Sequence, residues 1–441
     1  MKILFISLGC DKNLADTEFM LGKLEKKGYS FTDDEEEADL IIVNTCCFIH
    51  DAKEESIQML LEMGRVKEQG KARALIAAGC LAERYQDEIR REIPEVDAIV
   101  GTNAIDKIVE AVEKTLLKEE GSQLEDINGI PAYGEERIVT TGGHFAYLKI
   151  AEGCNKNCTY CIIPKVRGHY RSIPMEHLLK AAEELVAKGV KELILVAQET
   201  TLYGTDLYGE KMLPKLLKGL CEISGLYWIR ILYCYPEEIT DELIKVIKEE
   251  PKICHYLDIP IQHCADGILK KMGRRTNERS LREMVGRLRR EIPDICLRTT
   301  LITGFPGETQ EDHERLMAFV DEMEFDRLGV FTYSQEEDTK AAEFPDQIAE
   351  SLKEDRQAEI MELQQEIAFE KAEAMIGKEV LVMIEGKVAD ENAYVGRTYK
   401  DAPNVDGLIF INTDREFMTG DFVKIKVTGS YEYDLIGEMI E

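Results

Sequence analysis

The sequence predicts an α/β chain in three parts: an N-terminal parallel-sheet domain carrying a cysteine cluster, a partial, TIM-like (β/α)6 barrel, and a small C-terminal β-barrel. Three observations predict this. Short aliphatic runs alternate with helix-length stretches through most of the chain, the pattern of parallel βαβ units. One long Glu/Gln/Lys-rich segment, Ala349–Met375, lacks Pro and Gly and reads as a single helix stopped by Gly377. Beyond it the sequence changes to short β-like runs broken by Gly, Asp and Pro.

Taken in order, Ile3–Leu8 leads to Gly9-Cys10, Leu40–Val43 to Asn44-Thr45-Cys46, and Leu75–Ala78 to Gly79-Cys80. The helix-like stretches Leu14–Lys27 and Asp51–Glu68 separate them, so the strands should be parallel. Parallel strands end on one edge of a sheet, which is expected to bring Cys10, Cys46 and Cys80 to a common rim where α/β ligands sit. This domain spans 1–117, and an acidic stretch without periodicity makes 118–139 a linker. Between 140 and 375, six strand candidates alternate with helices such as Met175–Lys188 and Asp241–Glu249: His144–Ile150, Lys191–Ala197, Tyr227–Cys234, His255–Ile259, Ile295–Ile302 and Arg327–Tyr333. Six such units suggest the incomplete barrel, and the helix over Ala349–Met375 is expected to bridge domains. The last domain, 376–441, holds the runs Val380–Ile384, Leu408–Ile411 and Phe422–Val427.

At 441 residues the chain exceeds one ordinary core. No run of apolar residues is long enough for a membrane-spanning helix, and Met1–Cys10 is too short for an export signal. Twelve cysteines in such a chain point to a reducing compartment, so the cytoplasm is expected. A net charge of −30, from 85 acidic and 55 basic residues, repels phosphate backbones and fits a basic protein substrate better. Against that background Lys270–Arg290 holds nine Lys/Arg and two Glu; a solvated helix face is the simpler reading, contact with a phosphate-rich surface the sharper one.

Cys154-Asn-Lys-Asn-Cys158-Thr-Tyr-Cys161 follows directly after a strand candidate. Structural zinc wants four protein ligands, and the nearest fourth candidate is His169. Three cysteines suit a 4Fe–4S cluster with one iron left open. Turns after the later strands carry Gln198-Glu199-Thr200, Tyr235-Pro236-Glu237, Pro260-Ile261-Gln262-His263 and Thr303-Gly304-Phe305-Pro306-Gly307-Glu308, where barrel enzymes keep their chemistry. Each alone is equally well an ordinary turn. Cys10, Cys46 and Cys80 form a second triad, with Cys47 as rival to Cys46. Cys221, Cys234, Cys254, Cys264 and Cys296 read as packing residues.

The C-x3-C-x2-C spacing, with Tyr160 before the last cysteine, resembles the radical S-adenosylmethionine (SAM) superfamily. That resemblance implies SAM chelated at the open iron, with Tyr160, Glu199, Gln262, Arg298 and Gly304 as cofactor contacts; relatives commonly carry Asp where this chain has Glu199. With SLGCDKN, VNTCCF and AAGC, the whole chain resembles the methylthiotransferase family: an N-terminal cluster domain, a radical SAM barrel and a TRAM domain. Family membership implies a second 4Fe–4S cluster on Cys10, Cys46 and Cys80, with an open iron for sulfur, and an external low-potential electron donor. Of the family's two branches, Gln198–Gly204, Val395-Gly-Arg-Thr with Ala402–Gly407, and Tyr431–Asp434 resemble the one that modifies an aspartate of small-subunit ribosomal protein S-twelve, free or in the ribosomal subunit. The tail agrees: 13 acidic and 7 basic residues from Lys378 to Glu441 make tRNA an unlikely partner. tRNA adenosine methylthiolation and a non-catalytic iron–sulfur sensor or electron carrier are the alternatives.

Overall fold

The computed structural model describes residues 1–131, 133–134, 137–389 and 392–440. Five parallel strands form the first sheet, β1 (Lys2–Ser7), β2 (Ser30–Thr32), β3 (Leu40–Thr45), β4 (Leu75–Gly79) and β5 (Ala98–Val100), in the order β2-β1-β3-β4-β5. Every residue of β3 and β4 is buried, as central parallel strands covered on both faces must be. The three strands read from sequence are the adjacent central ones, so their ends share one rim. β2 and β5 have three residues each, too few for periodicity to mark them.

The second sheet contains β6 (Phe145–Lys149), β9 (Glu192–Val196), β10 (Trp228–Ile231), β11 (Ile253–Asp258), β12 (Cys296–Thr303) and β13 (Arg327–Thr332). All neighbours are parallel, in the order β13-β12-β11-β10-β9-β6, and helices Met175–Ala187, Leu213–Cys221, Asp241–Glu249, Glu278–Glu291 and Gln310–Met323 intervene. Alternate strand residues face opposite ways. Leu193, Leu195, Ile229, Leu257, Leu297 and Leu301 pack beneath the helices. Phe145, Ile194, Trp228, Cys254, Tyr256 and Cys296 face the inner side. A short antiparallel pair, β7 (Ala151–Glu152) and β8 (Arg171–Ser172), brackets the residues between them.

Helix Glu350–Glu373 closes the far edge against β13 and leads into a closed five-stranded barrel of β14 (Glu379–Lys387), β15 (Ala393–Arg397), β16 (Ile409–Asn412), β17 (Phe422–Tyr431) and β18 (Asp434–Met439). β15 and β18 escaped the sequence reading because Gly396 and Gly437 interrupt their apolar alternation. Both glycines are needed: a Cβ on Gly396 would lie 2.4 Å from Val382 Cγ1, and one on Gly437 2.3 Å from Ile425 Cγ2.

This small barrel sits under the starts of the second sheet's strands. Glu192, wholly buried at the start of β9, accepts from Arg230 Nε at 2.8 Å and from Arg397 Nη2 of the small barrel at 2.8 Å. Tyr399 O accepts from Arg230, Lys400 O from Cys296 Sγ, and Asp401 pairs with Arg327. Met383 and Ala402 join the inner-face cluster. No helix among the described residues is long and apolar enough to cross a membrane.

Candidate active site

The first sheet delivers its three cysteines by different means. Cys10 caps the N-terminus of helix Asp11–Lys26, Cys46 follows β3 directly, and Cys80 opens the short helix Cys80–Arg84. The loop before Cys10 lies hard against Cys46: a Cβ on Gly9 would fall 2.8 Å from Cys46 Sγ. Ser56 Oγ accepts from Cys46 N and donates to Cys46 O, both at 2.9 Å, fixing that peptide. Asn13 Nδ2 donates to Leu8 O at 3.0 Å and Thr45 O at 2.9 Å, tying together the segments before Cys10 and Cys46. The Cys80 thiol is pushed well up, first by burial, with Cys47, Cys46 and Cys10 adding to it against the Arg167 guanidinium. Cys47 lies against the Arg84 guanidinium, whereas Cys46 is the one of the pair that Cys10 acts on and that Gly9 abuts.

The barrel's cysteines lie on the loop bracketed by β7 and β8. Cys154 N donates to Gly168 O at 3.1 Å, and Cys161 N to Cys158 O at 3.0 Å. Cys158 Sγ lies 3.5 Å from Tyr235 Oη. Burial raises the Cys154 thiol to about 11, and Cys158 adds to the shift. Cys161 is raised too, by burial first and then by Cys158 and Cys154. Within each triad the thiols are near enough to act on one another's charge. Among the described residues no three His, Cys, Asp or Glu groups converge tightly enough for a single metal ion. Three thiols, one short of a structural zinc set, are by their chemistry suited to a four-iron cluster with one iron left open.

Around the barrel loop the rim presents buried polar atoms without hydrogen-bond partners. They include Gln198 Oε1, Glu199 Oε2, Gln262 Oε1 and Tyr170 Oη. Glu199 is fully buried just past β9; its Oε1 accepts from Thr201 N at 2.9 Å, and Lys156 Nζ stands 3.9 Å from its Oε2. Burial pushes its carboxyl up to about 7. Gln262 takes a left-handed backbone, φ +72°, while its N donates to Thr300 O at 2.9 Å and its O accepts from Ile302 N at 2.7 Å. Tyr160 sets its ring edge-on to Phe305, centroids 6.5 Å apart. Unpaired buried acceptors beside three thiols suit a zwitterion with a ribose, the donor-rich shape of SAM.

Two expected contacts have other partners. Arg298 donates to Asp258 Oδ1 at 2.9 Å and stands 3.7 Å from Asp406 of the small barrel. Gly304, φ +72°, leaves space that Lys353 fills, since a Cβ would lie 2.2 Å from Lys353 Cγ. Its N donates to Glu308 Oε2 at 2.8 Å. Three of the nine cations of the basic segment have carboxylate partners: Arg279 pairs with Glu283, Arg282 with Glu278, and Arg287 with Asp241.

The two rims face each other. Lys12 Nζ lies 3.3 Å from the centroid of the Tyr233 ring just past β10, and Tyr233 Oη donates to Asp11 Oδ2 at 3.2 Å. On the other flank Glu336 is clasped by Arg84 at 2.9 Å and Lys53 at 3.1 Å. Lys149 bridges Asp16 and Glu152. Sequence spacing identified the cysteines but none of these bridging residues, because no local pattern marks a contact made across more than a hundred positions.

Comparison with known proteins matches this architecture in three segments. Residues 2–101 match an uncharacterized protein family, UPF0004; residues 148–320 match the radical SAM superfamily; residues 376–440 match the TRAM domain. Ribosomal protein uS12 methylthiotransferase RimO of Lachnoclostridium phytofermentans is 61% identical over 437 residues, covering 99% of each chain. The chain belongs to the RimO family. The RimO proteins of Thermoanaerobacter sp. (strain X514) and Geobacter sulfurreducens are 50% and 49% identical, with 98% and 100% of this chain covered and 98% of each relative. Among solved structures, the radical SAM methyltransferase TsrM from Kitasatospora setae aligns with a TM-score of 0.54 at 14% identity, over 75% of this chain and 74% of that one. The cobalamin-dependent radical SAM enzyme OxsB aligns at 0.52 and 13%, over 82% and 56%. These two resemble this RimO-family chain in fold alone. The radical SAM match implies a 4Fe–4S cluster and SAM in this RimO-family chain.

Proposed function

We propose that this chain is the methylthiotransferase that places a methylthio group on the β-carbon of an aspartate in ribosomal protein uS12, working in the cytoplasm with an external low-potential electron donor. The observation that carries the reading is the second cysteine triad, on a rim facing the first, in a chain matched along its whole length by uS12 methylthiotransferases. Cys154, Cys158 and Cys161 would hold one 4Fe–4S cluster, and Cys10, Cys46 and Cys80 would hold another. When bound, the clusters and two equivalents of SAM supply low-potential electron delivery, hydrogen-atom removal and a methylated sulfur.

The chain's own residues bind, orient and exclude water. Glu199 Oε2 and Gln262 Oε1 are the acceptors free to take the amino group and ribose of SAM, and Tyr160 shields the cluster loop with Phe305 behind it. Lys156, held by Glu237 at 3.1 Å, keeps a positive charge near the site of a carboxylate. Arg298 is spoken for by Asp258 and Asp406, which supports a role in seating the small barrel rather than in touching SAM. Gly304 serves the packing of Lys353 and leaves its turn free to border the cofactor. The acidic C-terminal domain complements a basic protein and opposes tRNA.

Mass spectrometry of uS12 and of tRNA from a deletion strain tests the assignment. Loss of the methylthio mark on uS12, restored by the gene, is the expected result; an intact uS12 mark with a lost tRNA mark would reverse the choice of branch.

A further inference from the structure

Arg167 follows the short helix Ile163–Val166 and is buried in the seam between the two sheets. Its guanidinium crosses to the other domain. Nε–H donates to Cys80 Sγ at 3.3 Å. Nη1 donates to Asp16 Oδ2 at 2.7 Å and to Glu152 Oε2 at 3.1 Å, and Nη2 donates to Asn13 Oδ1 at 2.5 Å. Asn13 is the side chain that ties the segments before Cys10 and Cys46 together. Glu152 also accepts from Lys149 at 2.7 Å and from Gln198 at 2.8 Å, beside Glu199.

The next residue faces the opposite triad. Gly168 O accepts the Cys154 N–H, and a Cβ on Gly153 would lie 2.5 Å from that carbonyl. Residues 167 and 168 are thus bonded to one cysteine of each triad. The charges in the seam balance, two carboxylates from Asp16 and Glu152 against the cations of Arg167 and Lys149. A thiolate at Cys80 then has the guanidinium fork as its nearest positive charge. A charged N–H donor on a ligating sulfur stabilises the additional electron of a reduced cluster.

We infer that Arg167 is a positioning and tuning residue for the Cys10/Cys46/Cys80 cluster: its bond to Cys80 Sγ raises that cluster's reduction potential and fixes the ligand relative to the Cys154 loop. This rests on the two-cluster reading above. The test uses the full chain with Cys154, Cys158 and Cys161 replaced by Ala, reconstituted anaerobically with iron and sulfide, so that only the N-terminal cluster is present. Stepwise reduction by dithionite through mediators, followed by electron paramagnetic resonance, gives the midpoint.

Adding Arg167→Gln shifts the midpoint to lower potential with about four irons retained. Arg167→Lys, which keeps the charge and loses the planar fork, shifts it less. An unchanged midpoint in Arg167→Gln overturns the inference. A second measurement needs no substitution at 167: in protein labelled with 15N-arginine, spin-echo modulation of the reduced cluster carries a nitrogen coupling from the guanidinium. Absence of that coupling in a protein that holds its iron overturns the inference alone; a parent protein that binds no iron overturns the two-cluster reading and this inference with it.

Discussion

Glu199 has one carboxylate oxygen bonded to Thr201 and one with no hydrogen-bond partner, and burial above all carries its pKa to about 7, against Thr201 and Lys156. The sign follows from the direction of the shift. In the SAM-free protein the carboxyl is protonated below pH 7, whereas accepting N–H bonds on both of its oxygens, from Thr201 and from the SAM amino group, needs it ionised, so binding must first expel a proton. SAM affinity is therefore expected to fall about tenfold per pH unit below pH 7 and to level off above it. Equilibrium dialysis checks this, and Glu199→Gln should flatten the slope. Among the cysteines the roles divide. Replacing Cys154, Cys158 and Cys161 with Ala should end 5′-deoxyadenosine formation; replacing Cys10, Cys46 and Cys80 should leave it and lower iron from about eight to about four per chain. Persistent cleavage in the first variant, or about eight irons in the second, contradicts the assignment. The six cysteines were legible because strand ends and short spacing are local signals. Arg167, Asn13 and Lys149 were not, since their partners lie in another domain.

At the scale of elements, the glycines before the N-terminal cysteines make the rim possible. Gly79 takes φ +88°, and a Cβ there would lie 2.3 Å from Asn44 Oδ1 and 2.6 Å from Thr45 O, the two residues that lead into Cys46. Gly79→Ala adds both backbone strain and a collision with β3. Destabilisation of about 1–3 kcal/mol is expected, with loss of the N-terminal iron before that of the barrel. Thermal unfolding and iron analysis of the variant read both effects. Central strands of the two sheets were legible because aliphatic runs buried on both faces leave no ambiguity. The helix Glu350–Glu373 was legible by its lack of breakers, though not for what it buries. Lys353, Arg356 and Gln364 face inward, bonded to Tyr333 O, Glu308 and Phe325 O, a pattern that apolar periodicity cannot register.

Across the whole molecule, buried charge holds the parts in register. Glu192, Arg230 and Arg397 form a triad without exposure to water, two members from the large barrel and one from the small. Arg397→Met leaves Glu192 with half its compensation and costs about 3–5 kcal/mol, the range for breaking a buried pair. Calorimetry should resolve this as an earlier transition of the C-terminal domain; a single unshifted transition would mean that the domain is held by other contacts. The net charge of −30 and the acidic tail were visible in composition. Where the tail sits was not: docking depends on Arg230 and Arg327, unremarkable inside strands, and on Arg298, which the sequence pointed toward SAM instead.

That docking turns the barrel into a vessel with a floor. Met383, Ala402 and the Tyr399–Asp401 turn close the side where the strands begin, so traffic passes over the opposite lip, where both cysteine rims stand. If SAM and a polypeptide share that lip, the smaller is expected to enter before the larger covers it. A peptide bearing the target aspartate should accordingly slow the escape of bound SAM, measured by stopped-flow dilution, while leaving nothing to compete with once SAM is absent.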